Sequence, residues 1–178
     1  MVWTISPGGQ DEYSGLYRIE VNEGPGSGVK ILNMPAPQAF QESVRFAEQN
    51  LYARSRMLVG DRDPRQHEFT IQLRSFDASS GGNQLGVATI VALCSSLLKK
   101  PIRGGLVVVG GINLGGSIEP VYNAVTITEH AVEKGATTLL MPVSCRKQLY
   151  DLSDDMATRV DIQFYGDARD AVLKSIVE

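Results

Sequence analysis

The stretch SSGGNQLGVATIVALCSSLL, Ser79–Leu98, decides how this chain is read. It runs from a glycine-bearing loop straight into a helix that is apolar nearly all round: Leu85, Val87, Ile90, Val91, Leu93, Cys94, Leu97 and Leu98 leave no polar face. Such a helix has to be buried on most sides. Lys99 and Lys100 complement the dipole at its end, and Pro101 stops it. GLVVVGGINLGGSIEPV (Gly105–Val121) follows, and LVVVGG within it reads as an apolar central strand. INLGGSIEPV reads as a second strand with a glycine bend at Gly115–Gly116. Asn123 is placed to cap a further helix that ends at Lys134–Gly135.

Outward from this core, residues 14–33 read as a hairpin, with LYRIEV and VKILN on either side of the turn EGPGSG. Phe40, Val44, Ala47, Leu51 and Leu58 recur at helical spacing, which predicts one amphipathic helix over residues 39–58 after the entry PAPQ. EFTIQLRSF (Glu68–Phe76) alternates as a strand. TTLLMP is a strand, CRKQLYDL a short helix, VDIQFY a strand and DARDAVLKSIV a terminal helix. Residues 1–13, with Trp3, read as an N-terminal linker or edge, and residues 14–178 as one α+β domain, a mixed sheet with packed helices.

Composition narrows the function classes. The 178 residues are 43% hydrophobic and 21% charged with net charge −3, so a basic nucleic-acid stripe is not expected here and any contact with DNA falls to other domains. No apolar run reaches the roughly 18 residues of a membrane span. Cys94 and Cys145 lie far apart without metal-ligand spacing, which points to a reducing cytoplasm. His67 and His130 are the only histidines, too few for a histidine-rich metal site.

The order glycine loop, apolar helix, hairpin and helix resembles the Lon-type proteolytic domain. The likeness is closer to the Lon-like C-terminal domain of BREX phage-defence proteins of the BrxL type. GGINLGGSIEPVYNAV (Gly110–Val125), EKGATTLLMPVS (Glu133–Ser144) and above all QFYGDARDAVLKSI (Gln163–Ile176) carry it. The resemblance implies a Lon-protease-type fold and a Ser–Lys dyad, the serine bracketed by two glycines. With Gly82 and Gly86 as those glycines, Gln84 stands at the serine position. With Ile118, Pro120 and Lys134–Pro142 on their counterparts, Val125 stands at the lysine position. A hydroxyl must attack and an amine must take its proton, and Gln84 and Val125 do neither. No Walker-type GxxxxGK[ST] is present, so the ATP and Mg that the resemblance implies would belong to an upstream AAA+ module, and no cofactor is expected in this chain. Self-association into a ring, a hexamer or stacked hexamers, is implied in the same way.

Other side chains are weaker candidates. Ser79 and Ser80 share the loop and are the substitute nucleophiles, but Lys99 and Lys100 sit about 20 Å away across the helix. They read better as loop and cap residues. Lys134 closes a helix that the catalytic lysine would open. Adjacent His67 and Glu68 point to opposite strand faces and cannot cooperate. Asp154–Asp155 and Asp167/Asp170 lack the ligand count of a cation site, and Asp167 reads as a helix N-cap with Asp170 three residues on. The sequence thus favours a catalytically degenerate Lon-like domain used for assembly and interaction. The alternatives are an active serine peptidase with a rearranged dyad, and a standalone binding module.

Overall fold

The computed structural model describes residues 1–7, 14–33, 35–76 and 83–177. Seven strands form one mixed sheet in the order β3-β4-β2-β1-β5-β6-β7. They are β1 (Val2–Ser6), β2 (Gly15–Pro25), β3 (Gly28–Ile31), β4 (His67–Ser75), β5 (Leu106–Val108), β6 (Thr138–Pro142) and β7 (Asp161–Tyr165). The β2–β1 and β2–β4 pairs are antiparallel, while β1–β5, β5–β6, β6–β7 and β3–β4 are parallel. Helices α1 (Gln38–Ala53), α2 (Ser55–Val59), α3 (Gly86–Leu98), α4 (Ala124–Glu133), α5 (Asp154–Arg159) and α6 (Ala168–Ser175) complete the fold, with a 3₁₀ segment at Val143–Asp151. This is the expected α+β class.

Helix α3 is the keystone. Eleven of its 13 residues are buried, as its unbroken apolarity requires. It packs among α1, α6 and one face of the sheet, joining Phe40, Leu51, Ile19, Ile71, Leu140 and Val172 in the larger core. Its last turn closes with Lys99 in the left-handed region (φ 57°) and the Lys100 amide donating to Ser95 O at 3.1 Å. The other sheet face carries a second core, in which Ile127 and Ala131 of α4 meet Ile5, Val107, Val109, Leu139 and Met141.

Several local readings change. Residues Val2–Ser6 are not linker but a central strand between β2 and β5. Trp3 lies in that strand and packs against Phe76, ring centroids 4.9 Å apart. The hairpin expected over residues 14–33 is split. Pro25 opposes His67 and Gly28 opposes Glu68, so β4 lies between β2 and β3. Three residue steps from Pro25 to Gly28 reach about 10 Å, enough to bridge two inter-strand spacings. The single helix expected over residues 39–58 breaks at Arg54 (φ −122°, ψ 31°) into α1 and α2. The second strand expected at Ile112–Val121 reduces to one antiparallel bridge, Ile112 with Ile118.

Candidate functional site

Gln84 and Val125, which the resemblance sets at the dyad positions, are placed by the start of α3 and the start of α4. Ser79, Ser80 and Gly82 lie outside the described residues. From Asn83 onward the turn is tied down on three sides. Ser6 Oγ at the end of β1 reaches Asn83 Oδ1 at 2.6 Å and Asn83 O at 2.9 Å. The Leu85 amide donates to Ser43 Oγ of α1 at 3.3 Å, and the Val87 amide donates to Gly110 O beyond β5 at 3.2 Å. Gly86 lets the helix start lie flat on the hairpin: a Cβ there would come within 3.0 Å of Ile112 Cγ2 and 3.3 Å of the Ile112 nitrogen.

Gln84 itself has φ 54°, a left-handed conformation that costs a non-glycine residue about 1–2 kcal/mol. Its Nε2 donates to Pro120 O at 3.2 Å. Its Oε1 is covered and receives no hydrogen bond. The carboxamide therefore bridges the turn to the hairpin exit and can neither attack a carbonyl nor accept a proton for another nucleophile.

Val125 is half-buried in the first turn of α4. Asn123 occupies the N-cap position with φ 65°, but its side chain makes no cap bond. Gln148 supplies the caps instead: its Oε1 accepts from the Ala124 amide at 3.0 Å and its Nε2 donates to Val121 O at 2.7 Å. The sequence spacing points to Asn123 for this role and gives no sign of Gln148, which is 24 residues away along the chain.

The hairpin that faces Gln84 is clamped from α1. Buried Asn50 donates to Asn113 O at 2.9 Å, and Arg54 Nη1 donates back to Asn50 Oδ1 at 2.8 Å. Between α1, the Gln84 turn and the hairpin lies a cavity of about 250 Å³. Ala39, Phe46 and Ile112 line it with apolar surface, and exposed Glu42 and half-buried Glu119 line it as well. No ion pair or hydrogen bond engages either carboxylate among the described residues.

The remaining candidates do not assemble a nucleophilic centre. Burial pushes the Cys94 thiol up to about 12 and the Cys145 thiol up to about 11, so neither supplies a thiolate at neutral pH. His67 Nδ1 contacts Glu23 Oε1, whereas Glu68 pairs with Lys30 at 3.0 Å, so the two neighbours serve different partners. His130 Nδ1 meets Ser14 Oγ at 2.8 Å, a contact the sequence did not suggest. Asp167 caps α6, accepting from the Asp170 amide at 2.8 Å, and Asp170 Oδ2 accepts in turn from the Gly166 amide and from Lys174. Asp154 and Asp155 lie in the first turn of α5, where Ser153 is the cap.

The sheet order, the buried helix behind a glycine-bracketed turn and the following hairpin define a Lon-type proteolytic fold. The chain belongs to the Lon protease (S16) C-terminal proteolytic domain family, whose profile it matches over residues 3–178. It is 26% identical over 164 residues to the "Lon-like protease BrxL" of Escherichia coli O9:H4 (strain HS), a match covering 92% of this chain and 24% of the relative. To the protein of the same name from Bacillus cereus (strain H3081.97) it is 23% identical over 176 residues, 98% of this chain and 26% of the relative. To the "Lon protease" of Solibacter usitatus (strain Ellin6076) it is 27% identical over 179 residues, all of this chain and 21% of the relative. The chain thus spans about a quarter of the length of the curated relatives it matches. Among the described residues no helix is long and apolar enough to cross a membrane.

Proposed function

We propose that this chain is a catalytically degenerate Lon-like domain that serves assembly and interaction within a larger AAA+ ATPase of phage defence. The observation that carries the reading is Gln84. It stands where the family's nucleophile belongs, and its amide is engaged with Pro120 O. Val125, aliphatic, stands where the general base belongs. The buried thiols leave no substitute of the cysteine type. ATP and Mg would act in the ATPase module, and two free cysteines suit a reducing cytoplasm.

The purified chain is expected not to cleave unfolded casein or fluorogenic peptides and not to react with a fluorophosphonate probe. Stoichiometric labelling of Ser79 or Ser80 would instead establish the active, rearranged-dyad enzyme. Installing Gln84→Ser with Val125→Lys is not expected to restore turnover by itself, because oxyanion stabilisation has to be preorganised as well.

The same reading assigns the surface to ring formation. A full-length parent is expected to scatter light as a hexamer or a stack of hexamers. A strictly monomeric parent at micromolar concentration, with and without nucleotide, would overturn the ring role and leave a standalone module.

A further inference from the structure

We propose that the open edge of β3, with the groove between it and α1, is a two-fold contact to which a second copy of this chain adds its own β3 in antiparallel register. β3 is the outermost strand of the sheet, and among the described residues nothing pairs with its outer side. Peptide groups alternate sides along a strand. The Leu32 amide donates to Ile71 O at 2.7 Å, in step with the Ile31–Ile71 register, so Lys30 and Leu32 turn their backbone groups toward β4. Val29 and Ile31 therefore turn an N–H and a C=O each to the open side. Such an edge is a template for another strand. Apart from shortness, the usual guards are missing: β3 holds no proline, and its one charge, Lys30, is paired with Glu68 at 3.0 Å.

The occupant is a second copy because the edge is complementary to itself. Antiparallel pairing centred on Lys30 sets Val29 opposite Ile31 of the second copy, and each such pair exchanges both of its N–H···O bonds. Leu32, 64% exposed, then lies opposite Gly28 of the second copy, where no side chain competes for the space. The groove beside this centre, about 450 Å³, is lined by Val29, Ile31 and Val44 and by Arg45 and Glu48 of α1. Neither Arg45 nor Glu48 has an ion-pair partner among the described residues. A two-fold axis normal to the sheet sets the two α1 helices antiparallel on the same face, so Arg45 of each copy approaches Glu48 of the other. Burial already raises the Glu48 carboxyl above its usual value, so a guanidinium beside it relieves a cost the single chain carries. The two Lys30 side chains meet on the opposite face, each beside its own Glu68, which offsets their repulsion. A foreign strand would use the open ladder groups, but only a copy brings the reciprocal charges. The contact is two-fold, unlike the head-to-tail contact that closes a ring, and it does not depend on ring formation.

Sedimentation equilibrium of the whole chain tests this. A short strand and one helix stripe make a small interface, so a weak dimer is expected, with Kd on the order of 10–100 μM. Amide hydrogen exchange at Val29 and Ile31 should slow as the dimer fills. Ile31→Pro deletes an outward N–H and no bond to β4, and should weaken the dimer about tenfold or more with an unchanged circular dichroism spectrum. Arg45→Glu and Glu48→Arg should each weaken it by a similar factor. Mixing those two variants should restore a dimer near wild-type strength, because each then carries the charges the other lacks. A chain that stays monomeric at about 1 mM would overturn the contact. So would a dimer indifferent to either charge reversal, or no recovery on mixing. Should Ile31→Pro lose the folded spectrum, the two charge variants and their mixture decide the matter alone.

Discussion

Val91→Asp is expected to abolish folding. Val91 is fully buried at the centre of α3, the helix that the larger core closes around. A carboxylate there has no partner, and an unpaired buried charge costs several kcal/mol even after its protonation equilibrium shifts. That is comparable with the whole stability of a domain, about 5–15 kcal/mol. Val91→Ala separates charge from packing. It removes two carbon groups and leaves a small void, so a loss of roughly 2 kcal/mol is expected, with a cooperative transition retained. Soluble yield, far-UV circular dichroism and thermal melting read both variants. A soluble Val91→Asp chain that melts cooperatively near the wild-type temperature would mean that α3 is not the central helix.

That helix was legible because its signal is local. Apolarity on every side, a preceding glycine loop and a terminating Pro101 need no knowledge of partners. Central strand β1 was not legible for the opposite reason. Four of its five residues are buried, because it is covered on both faces, and that removes the alternation by which a half-exposed strand is recognised. The strands of residues 15–31 were visible, but their pairing was not, since β4 enters between them from 40 residues further along. The break at Arg54 has no glycine or proline to announce it.

The site divides along the same line. The assignment of Gln84 and Val125 to the dyad positions is an alignment in chain order, carried by glycine bracketing and the Pro120 register. The bond from Gln84 to Pro120, the Ser6–Asn83 tie and the Gln148 caps join residues 24 to 77 positions apart. Nothing in one sequence marks such long-range partners.

Gly110→Ala is expected to be the most damaging conservative change next to the site, and Tyr165→Phe is expected to relieve part of it. Gly110 has φ 138°, a conformation that residues with a side chain rarely adopt, at a cost of about 1–3 kcal/mol. A Cβ there would also lie 1.9 Å from Tyr165 Oη, whose hydroxyl is buried and donates to Val109 O at 2.6 Å. The hydroxyl must move, and the carbonyl it leaves costs roughly 1–3 kcal/mol more. The sum, about 2–6 kcal/mol, falls on the segment that receives the Val87 amide and so anchors the start of α3. Tyr165→Phe alone should lose about 1–3 kcal/mol through the unpaired Val109 carbonyl. Once that hydroxyl is gone, Gly110→Ala pays mainly for its backbone, so the double variant should be about 1–2 kcal/mol more stable than the two single losses predict. Urea unfolding of the four proteins measures this coupling, and strict additivity would show that the two residues do not meet. Alkaline titration gives an independent check. Burial holds the Tyr165 hydroxyl well above its usual value, so the unfolded chain releases this proton first, near pH 10. Stability should therefore be unaffected by this group below that pH and fall as pH climbs past it, a loss that Tyr165→Phe removes.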